Sequence, residues 1–370
     1  MLIDEIELYH IKMRLKAPFR TSFGEEQDRE CILVAAFSEG LIGWGECVAS
    51  RFPGYSYETV KTAWHTLQDF MVPAVLSAPL AGIQDYVQRV KPVRGHPMAK
   101  AGMEMALWDL YSRAAGQPLA RFMGGERDRV PVGVSVGIQP SIEQMVQTVL
   151  AFRDQGYPRI KIKIMPGRDL EVARAVREAI PGVPLQVDAN SAYTLESALI
   201  FKQMDDLDLL LIEQPLGEDD LVDHSKLAPQ LLTPLCLDES IHSLDHARWA
   251  LELGACRIIN IKPGRVSGLY EASRIHDYCF EQVVPVWCGG MLETGIGRAA
   301  NVALATLPGF TLPGDISASD RYYEEDVTNE AFVLNSDGTL SVPNGPGLGV
   351  TVKNSALERF TLNEESFRVT

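Results

Sequence analysis

Lys163, Asp188, Glu213 and Asp238 follow one another at a constant interval of 25 residues, and Lys262 comes 24 residues after the last of them. One strand, one helix and two short loops of a β/α barrel consume about that length, so the five side chains are expected at equivalent places in successive units. At the carboxyl ends of the strands they would converge on one mouth, as three adjacent carboxylates with a lysine on either side. Each of the three acids closes an apolar run: LQVDAN, LLLIEQP and LCLDES. A buried, unpaired carboxylate is costly, so three in register imply a cation that takes oxygen ligands. Mg2+ is the simplest choice, and the all-oxygen set argues against zinc. For one Asp alone, capping of the following helix is the plainer reading. Three at equal spacing favour the metal.

In the run Lys161-Ile162-Lys163, strand alternation points both ammonium groups to the same, inward face. Lys262 ends the sixth of eight strands. Positions two and six of a ring of eight are opposed, so a substrate carboxylate on the metal would present its α-carbon between Lys163 and Lys262. One lysine removes the α-proton, and the metal stabilises the resulting enediolate. General base catalysis supplies about 10²–10⁴ in rate, which leaves metal electrostatics most of the remainder. Gly289-Gly290 and the run 293–297 follow the seventh strand. Their spacing fits neither a dinucleotide fingerprint nor a Walker motif, so they read as a loop lining the substrate closely.

The elements that must position these residues fall into two halves. From about residue 131, short apolar runs alternate with helical segments, which argues for a parallel sheet. The runs are 132–138, 159–164, 184–187, 207–212, 234–237, 257–261, 284–287 and 310–312. Eight such strands close a barrel whose chemistry sits at their carboxyl ends. The preceding half reads as α+β: strands at 3–12, 31–37 and 41–47, the last two joined by a turn at 38–40, then helices, the clearest at 98–115. Two loops of this half are aromatic, 18–24 and 49–57. The expected organisation is an N-terminal capping domain over 1–128, a catalytic barrel over 129–320 and a C-terminal segment, 321–370, returning to the cap. Short strands are expected in that last segment at 332–334 and 340–342.

With 46% apolar residues in 370, the chain can bury a large core, and it is expected to be globular. No apolar run reaches the about 18 residues of a membrane span, and the start MLIDEIELYHIKMRLK alternates like a strand rather than carrying the apolar stretch of a signal peptide. A cytoplasmic location is expected. The six cysteines form no C-x-x-C pair and are expected as reduced, buried thiols. A net charge of −15 repels nucleic acid and anionic membranes, so neither is expected as a partner. An anionic substrate must then be captured by local positive charge, which a metal with Lys161, Lys163 and Lys262 would supply.

KIKI, VDAN, IEQP, LDES and NIKPGR resemble the enolase superfamily, and within it the subgroup of muconate lactonizing enzymes, dipeptide epimerases and o-succinylbenzoate synthases. Lysine bases acting with Mg2+ are that superfamily's known chemistry. PFRTSFG, WGEC, VPVWCGGMLETGIGRAANVALA, LPGDISASDRYY and NGPGLGV resemble more narrowly the o-succinylbenzoate synthase/N-succinylamino acid racemase group. The likeness covers nearly the whole chain. It implies an enolase-like fold, a modified TIM barrel under an α+β cap, with Lys163 and Lys262 as the acid/base pair and Asp188, Glu213 and Asp238 as Mg2+ ligands, Mn2+ or Co2+ being able to substitute. By the same resemblance Asn190, Lys161 and Glu239 support them, and Lys161 also faces the substrate. Ser135, Gly289, Gly290 and Met291 would contact the substrate's carboxylate and its succinyl or N-acyl arm. Phe19, Phe23 and Tyr55 would belong to a lid, and Arg265 to a position associated with racemase competence. One departure from the pattern is Val266-Ser267-Gly268, where paired glycines are expected.

The implied reactions share a first step. In synthesis, Lys163 would take the α-proton of 2-succinyl-6-hydroxy-2,4-cyclohexadiene-1-carboxylate and hydroxide would leave on the same face, with Lys262 serving as a cation. In racemisation, the two lysines would exchange the α-proton of an N-succinylamino acid from opposite faces. The resemblance leaves open menaquinone biosynthesis or amino-acid conversion as the role, and implies a dimer or larger homo-oligomer. Two alternatives stand beside it. A dipeptide epimerase is disfavoured because Asp315-Ile316-Ser317 replaces the acidic D-x-D expected after strand eight. A Schiff-base aldolase using Lys262 would leave three carboxylates without a task.

Overall fold

The computed structural model describes residues 1–368. Its first sheet is antiparallel, in the order β13-β1-β2-β3, where β1 is Glu5–Thr21, β2 Gly24–Ser38, β3 Leu41–Cys47 and β13 Thr361–Arg368. Between β2 and β3, Glu39 and Gly40 both take positive φ, 50° and 80°, as a two-residue hairpin turn requires. The aromatic segment expected as a loop at 18–24 is instead the end of a long two-stranded ribbon. The ladder slips at a bulge after Arg14 and resumes with Phe19 opposite Glu26, so backbone hydrogen bonds carry the segment out as strand. The second aromatic segment, 49–57, consists of turns and bends. Helix Pro97–Ala114 lies over this sheet, its Met98, Met103, Leu107 and Leu110 packing with Ile6, Leu8, Ile32 and Val34 in one core.

The second sheet is parallel and has seven strands: β5 Val134–Val136, β6 Ile160–Lys163, β7 Leu185–Asp188, β8 Leu211–Glu213, β9 Leu235–Leu237, β10 Ile258–Ile261 and β11 Val286–Cys288. All seven are fully buried, as strands covered on both faces must be. Four helices of this half start on side-chain caps: Ser141, Asp169, Ser243 and Thr294 each accept a bond from a backbone N–H of the first turn. The eighth expected strand is not a ladder but two single bridges, Phe310 to Val286 and Gly314 to Val132. Pro308 and Pro313 flank that segment, and a residue without an N–H cannot extend a ladder. Those bridges join the two edges of the sheet and close the ring.

Beyond the ring, the expected strand at 332–334 makes no ladder, whereas β12, Thr339–Ser341, pairs with β4, Arg129–Pro131, just ahead of the first barrel strand. Strand β13 then pairs along β1. The cap is also docked to the barrel through buried glutamates. Glu46 of β3 accepts from the Thr294 and Gly297 backbone, capping helix Gly295–Leu304, and Glu104 accepts from Tyr270 N at the start of helix Leu269–Glu281. Each satisfies backbone N–H groups at a helix N-terminus in the other half of the molecule.

Candidate active site

Register brings the evenly spaced residues together. Lys163 is the Cα partner of Asp188, and Asp188 that of Glu213, so three adjacent strands deliver them side by side. Above them opens a cavity of about 570 Å³ lined by Lys161, Lys163, Lys262, Ser135, Tyr55 and Asn190, among others. Phe19, Phe23, Gly290 and Met291 also line it. Gly289 is buried beside Asn260 and Lys262 instead, and Arg265 and Glu239 lie behind the carboxylates.

The carboxylates themselves have no exposed surface, and cations sit on them. Lys163 Nζ donates to Asp188 at 2.5 Å and to Asn190 Oδ1 at 2.8 Å. Lys161 Nζ lies 3.1 Å from Asp188 and 2.9 Å from Glu213. Lys262 Nζ meets Asp238 at 2.7 Å, and the Arg265 guanidinium takes the other Asp238 oxygen. Burial works to raise the carboxyl of Asp188, but Lys163 and then Lys161 hold it down at about 2; Lys262 and Arg265 likewise hold Asp238 below the usual carboxylate range. Glu213 goes the other way, pushed well up by burial and then by the charge of Asp188.

Among the described residues, no three acidic, histidine or cysteine side chains are already gathered as a metal cage. The expectation of three carboxylates meeting at one centre is therefore met only in part. Asp188 and Glu213 do converge on a common positive point, the ammonium of Lys161, while Asp238 turns to Lys262 and Arg265. The donor set still suits a hard divalent cation. Asp188, Glu213 and Asp238 supply only carboxylate oxygens, all buried, from adjacent strand ends.

The cap contributes directly. Tyr55 donates to Asp238 Oδ1 at 2.9 Å and accepts from Lys262 Nζ at 3.2 Å, with that ammonium 4.4 Å from the centre of its ring. Ser22, at the tip of the β1–β2 ribbon, donates to the carbonyls of Ala189 and Asn190 at 3.2 Å each. Asn190 and Ser191 hold positive φ, 43° and 61°, a strained turn kept in place by these bonds and by Asn190 Nδ2 donating to Glu239 at 2.9 Å.

Several residues of the site escaped sequence reasoning. Asn260 donates to Glu213 at 2.7 Å; its signal was present, since it stands two before Lys262 as Lys161 stands two before Lys163. Gln214 ties β8 to β9 by accepting from Asp238 N at 3.0 Å, and Ser22 ties the tip of the β1–β2 ribbon to the barrel. Both lie in motifs quoted above, PFRTSFG and IEQP, but neither spacing nor strand period singles them out.

The barrel and cap, with paired lysines and acids at the mouth, define a class. Residues 4–124 match the mandelate racemase / muconate lactonizing enzyme N-terminal domain, and residues 144–356 match the enolase C-terminal domain-like family. The chain belongs to the enolase superfamily, in its muconate lactonizing enzyme subgroup, and is an enzyme with a small-molecule substrate. It is 53% identical to an o-succinylbenzoate synthase of Geobacillus kaustophilus, over 97% of this chain and 96% of that protein. It is 51% identical to an N-succinylamino acid racemase of an Amycolatopsis species, over 98% of each. Among solved structures, an enolase superfamily member from Listeria innocua superposes with a TM-score of 0.96 at 39% identity, covering 100% of both chains. No helix among the described residues is long and apolar enough to cross a membrane.

Proposed function

We propose that this chain is an o-succinylbenzoate synthase that also racemises N-succinylamino acids. The observation that carries the reading is that Lys163 and Lys262 line the same cavity, each fixed by a carboxylate of the neighbouring strand. Lys163 is the base that takes the substrate's α-proton, and in dehydration returns a proton to the leaving hydroxide. Lys262 is a cation in dehydration and the opposite-face acid/base in racemisation. Lys161 and Ser135 bind the carboxylate end; Ser135 Oγ is buried and without a partner, as a donor awaiting substrate would be. Gly290 and Met291 border the succinyl or N-acyl arm, while Gly289 leaves room for Asn260 and Lys262 behind it. Phe19, Phe23 and Tyr55 exclude water, and Arg265 holds Asp238 behind Lys262. Mg2+ held by Asp188, Glu213 and Asp238, or Mn2+ or Co2+ in its place, would bind the substrate carboxylate and stabilise the charge that develops there.

The same reading divides the chain into a cap over 1–128, a barrel over 129–320 and a returning segment over 321–370. It makes the protein a cytoplasmic homo-oligomer without nucleic-acid or membrane partners. The test is direct: purified protein is assayed for dehydration, and for α-hydrogen exchange of N-succinylamino acids in D2O, before and after chelation. Both activities should vanish with chelator and return with Mg2+. Full turnover of either after exhaustive chelation overturns the metal assignment, and absence of both with Mg2+ overturns the function.

A further inference from the structure

The barrel closes at a seam, and the seam carries a charge pair with no part in the scheme above. Asp315 follows Gly314 in the eighth position, its backbone N–H donating to Cys288 O at 2.9 Å. One carboxylate oxygen lies 2.5 Å from Lys161 Nζ, the other 2.6 Å from Arg159 of the same strand region. Arg159 is wholly buried, and its other nitrogen donates to Pro313 O at 2.8 Å. Trp287 lies under both cations, its ring centre 4.8 Å from Lys161 Nζ and 5.4 Å from the Arg159 guanidinium. Room for that guanidinium depends on Gly133, because a Cβ there would stand 2.4 Å from it. A charged pair buried this deeply gives little net stability for its desolvation, which points to a task beyond folding.

Lys161 has three anionic neighbours: Asp188, Glu213 and Asp315. The first two are the residues proposed to hold a metal ion, and a carboxylate whose charge is shared with a metal holds an ammonium more weakly. Asp315 keeps its charge for Lys161 and Arg159, and at 2.5 Å it is the nearest of the three to the Lys161 ammonium. We infer that Asp315, anchored by Arg159 across the seam, is the positioning residue for Lys161, keeping its ammonium aimed at the carboxylate end of the substrate. The inference rests on the function proposed above.

The experiment compares Asp315→Asn, Lys161→Met and the double variant, with Asp315→Glu as the variant that keeps the charge and shifts the carboxylate by one methylene. Asp315→Asn is expected to raise KM at least about tenfold for both substrates, with kcat changed less, since it removes a charge-assisted bond that orients binding. Added to Lys161→Met it should raise KM no further, because the effect runs through that ammonium. If Asp315→Asn does not fold, Asp315→Glu decides: a raised KM supports positioning, and a wild-type KM overturns it. Independent, additive effects of the two single variants overturn it as well. A crystal structure of folded Asp315→Asn, or otherwise of Asp315→Glu, needs no turnover. Lys161 Nζ unmoved there sinks the inference, whereas a displaced Nζ in a protein that turns over neither substrate leaves it standing and sinks only the proposed function.

Discussion

Lys163 and Asp188 are register partners on adjacent strands, and their side chains meet at 2.5 Å. The proposed base therefore rests on a proposed metal ligand, with Asn190 Oδ1 as its second partner at 2.8 Å. Lys163→Ala should abolish both reactions, by at least the about 10²–10⁴ that general base catalysis supplies. Folding should survive, since Asp188 keeps Lys161 at 3.1 Å and the Asn190 N–H at 3.0 Å. Circular dichroism and a thermal melt check the fold. Residual activity near wild type in either assay removes Lys163 from the base role.

Arg265 is buried, binds Asp238 and donates to the carbonyls of Ile241 and Asn260 at 2.6 and 2.5 Å, so it holds the carboxylate on which Lys262 sits. Racemisation needs Lys262 to exchange protons, whereas dehydration needs only its charge. Arg265→Gln should accordingly reduce racemisation roughly tenfold more than dehydration, given the about 1.5–3 kcal/mol typical of a charged hydrogen bond. The ratio of kcat/KM for the two reactions measures it, and equal losses refute the assignment.

Ser22 latches the β1–β2 ribbon onto the turn that carries Asn190. Removing the hydroxyl loosens the ribbon, proposed to act as a lid, without touching the lysines. With a hydrogen bond worth about 0.5–1.5 kcal/mol, Ser22→Ala should raise KM about 2- to 12-fold and alter kcat less. Steady-state kinetics on both substrates decides, and an unchanged KM would show that the latch plays no part in binding.

Glu104 is buried where the cap meets helix Leu269–Glu281, and burial pushes its carboxyl from 4.5 to about 8 despite bonds from the Tyr270 and Leu269 backbone. The folded state thus holds a proton that the unfolded chain releases. Its favourable contribution is complete below about 4.5 and is lost as pH rises through about 8. Glu104→Gln cannot ionise, so its advantage over wild type should grow between pH 5 and pH 9. Denaturant midpoints across that range test the sign; a constant difference contradicts it.

Much of the barrel could be read in one dimension because its repeat is covalent. The interval between Lys163, Asp188, Glu213 and Asp238 counts residues per unit, and short apolar runs mark strands buried on both faces whatever their neighbours. The same reading misjudged 18–24, since aromatic residues in a ribbon and in a loop look alike until the partner strand is known. It also turned 310–312 into a full strand, where two prolines leave only bridges.

Residue types and their period were thus enough to place two lysines and three acids at neighbouring strand ends, because strand alternation and unit length are local properties. Which cation lies on which acid could not follow from spacing. That Lys161 is shared among Asp188, Glu213 and Asp315, that Tyr55 reaches Asp238 from the cap, and that Asn260 and Arg159 belong to the site are matters of packing between segments up to about 180 residues apart. Such pairings are chosen by the low dielectric and close packing of the folded interior, where each buried charge must find the partner that the tertiary structure brings within reach.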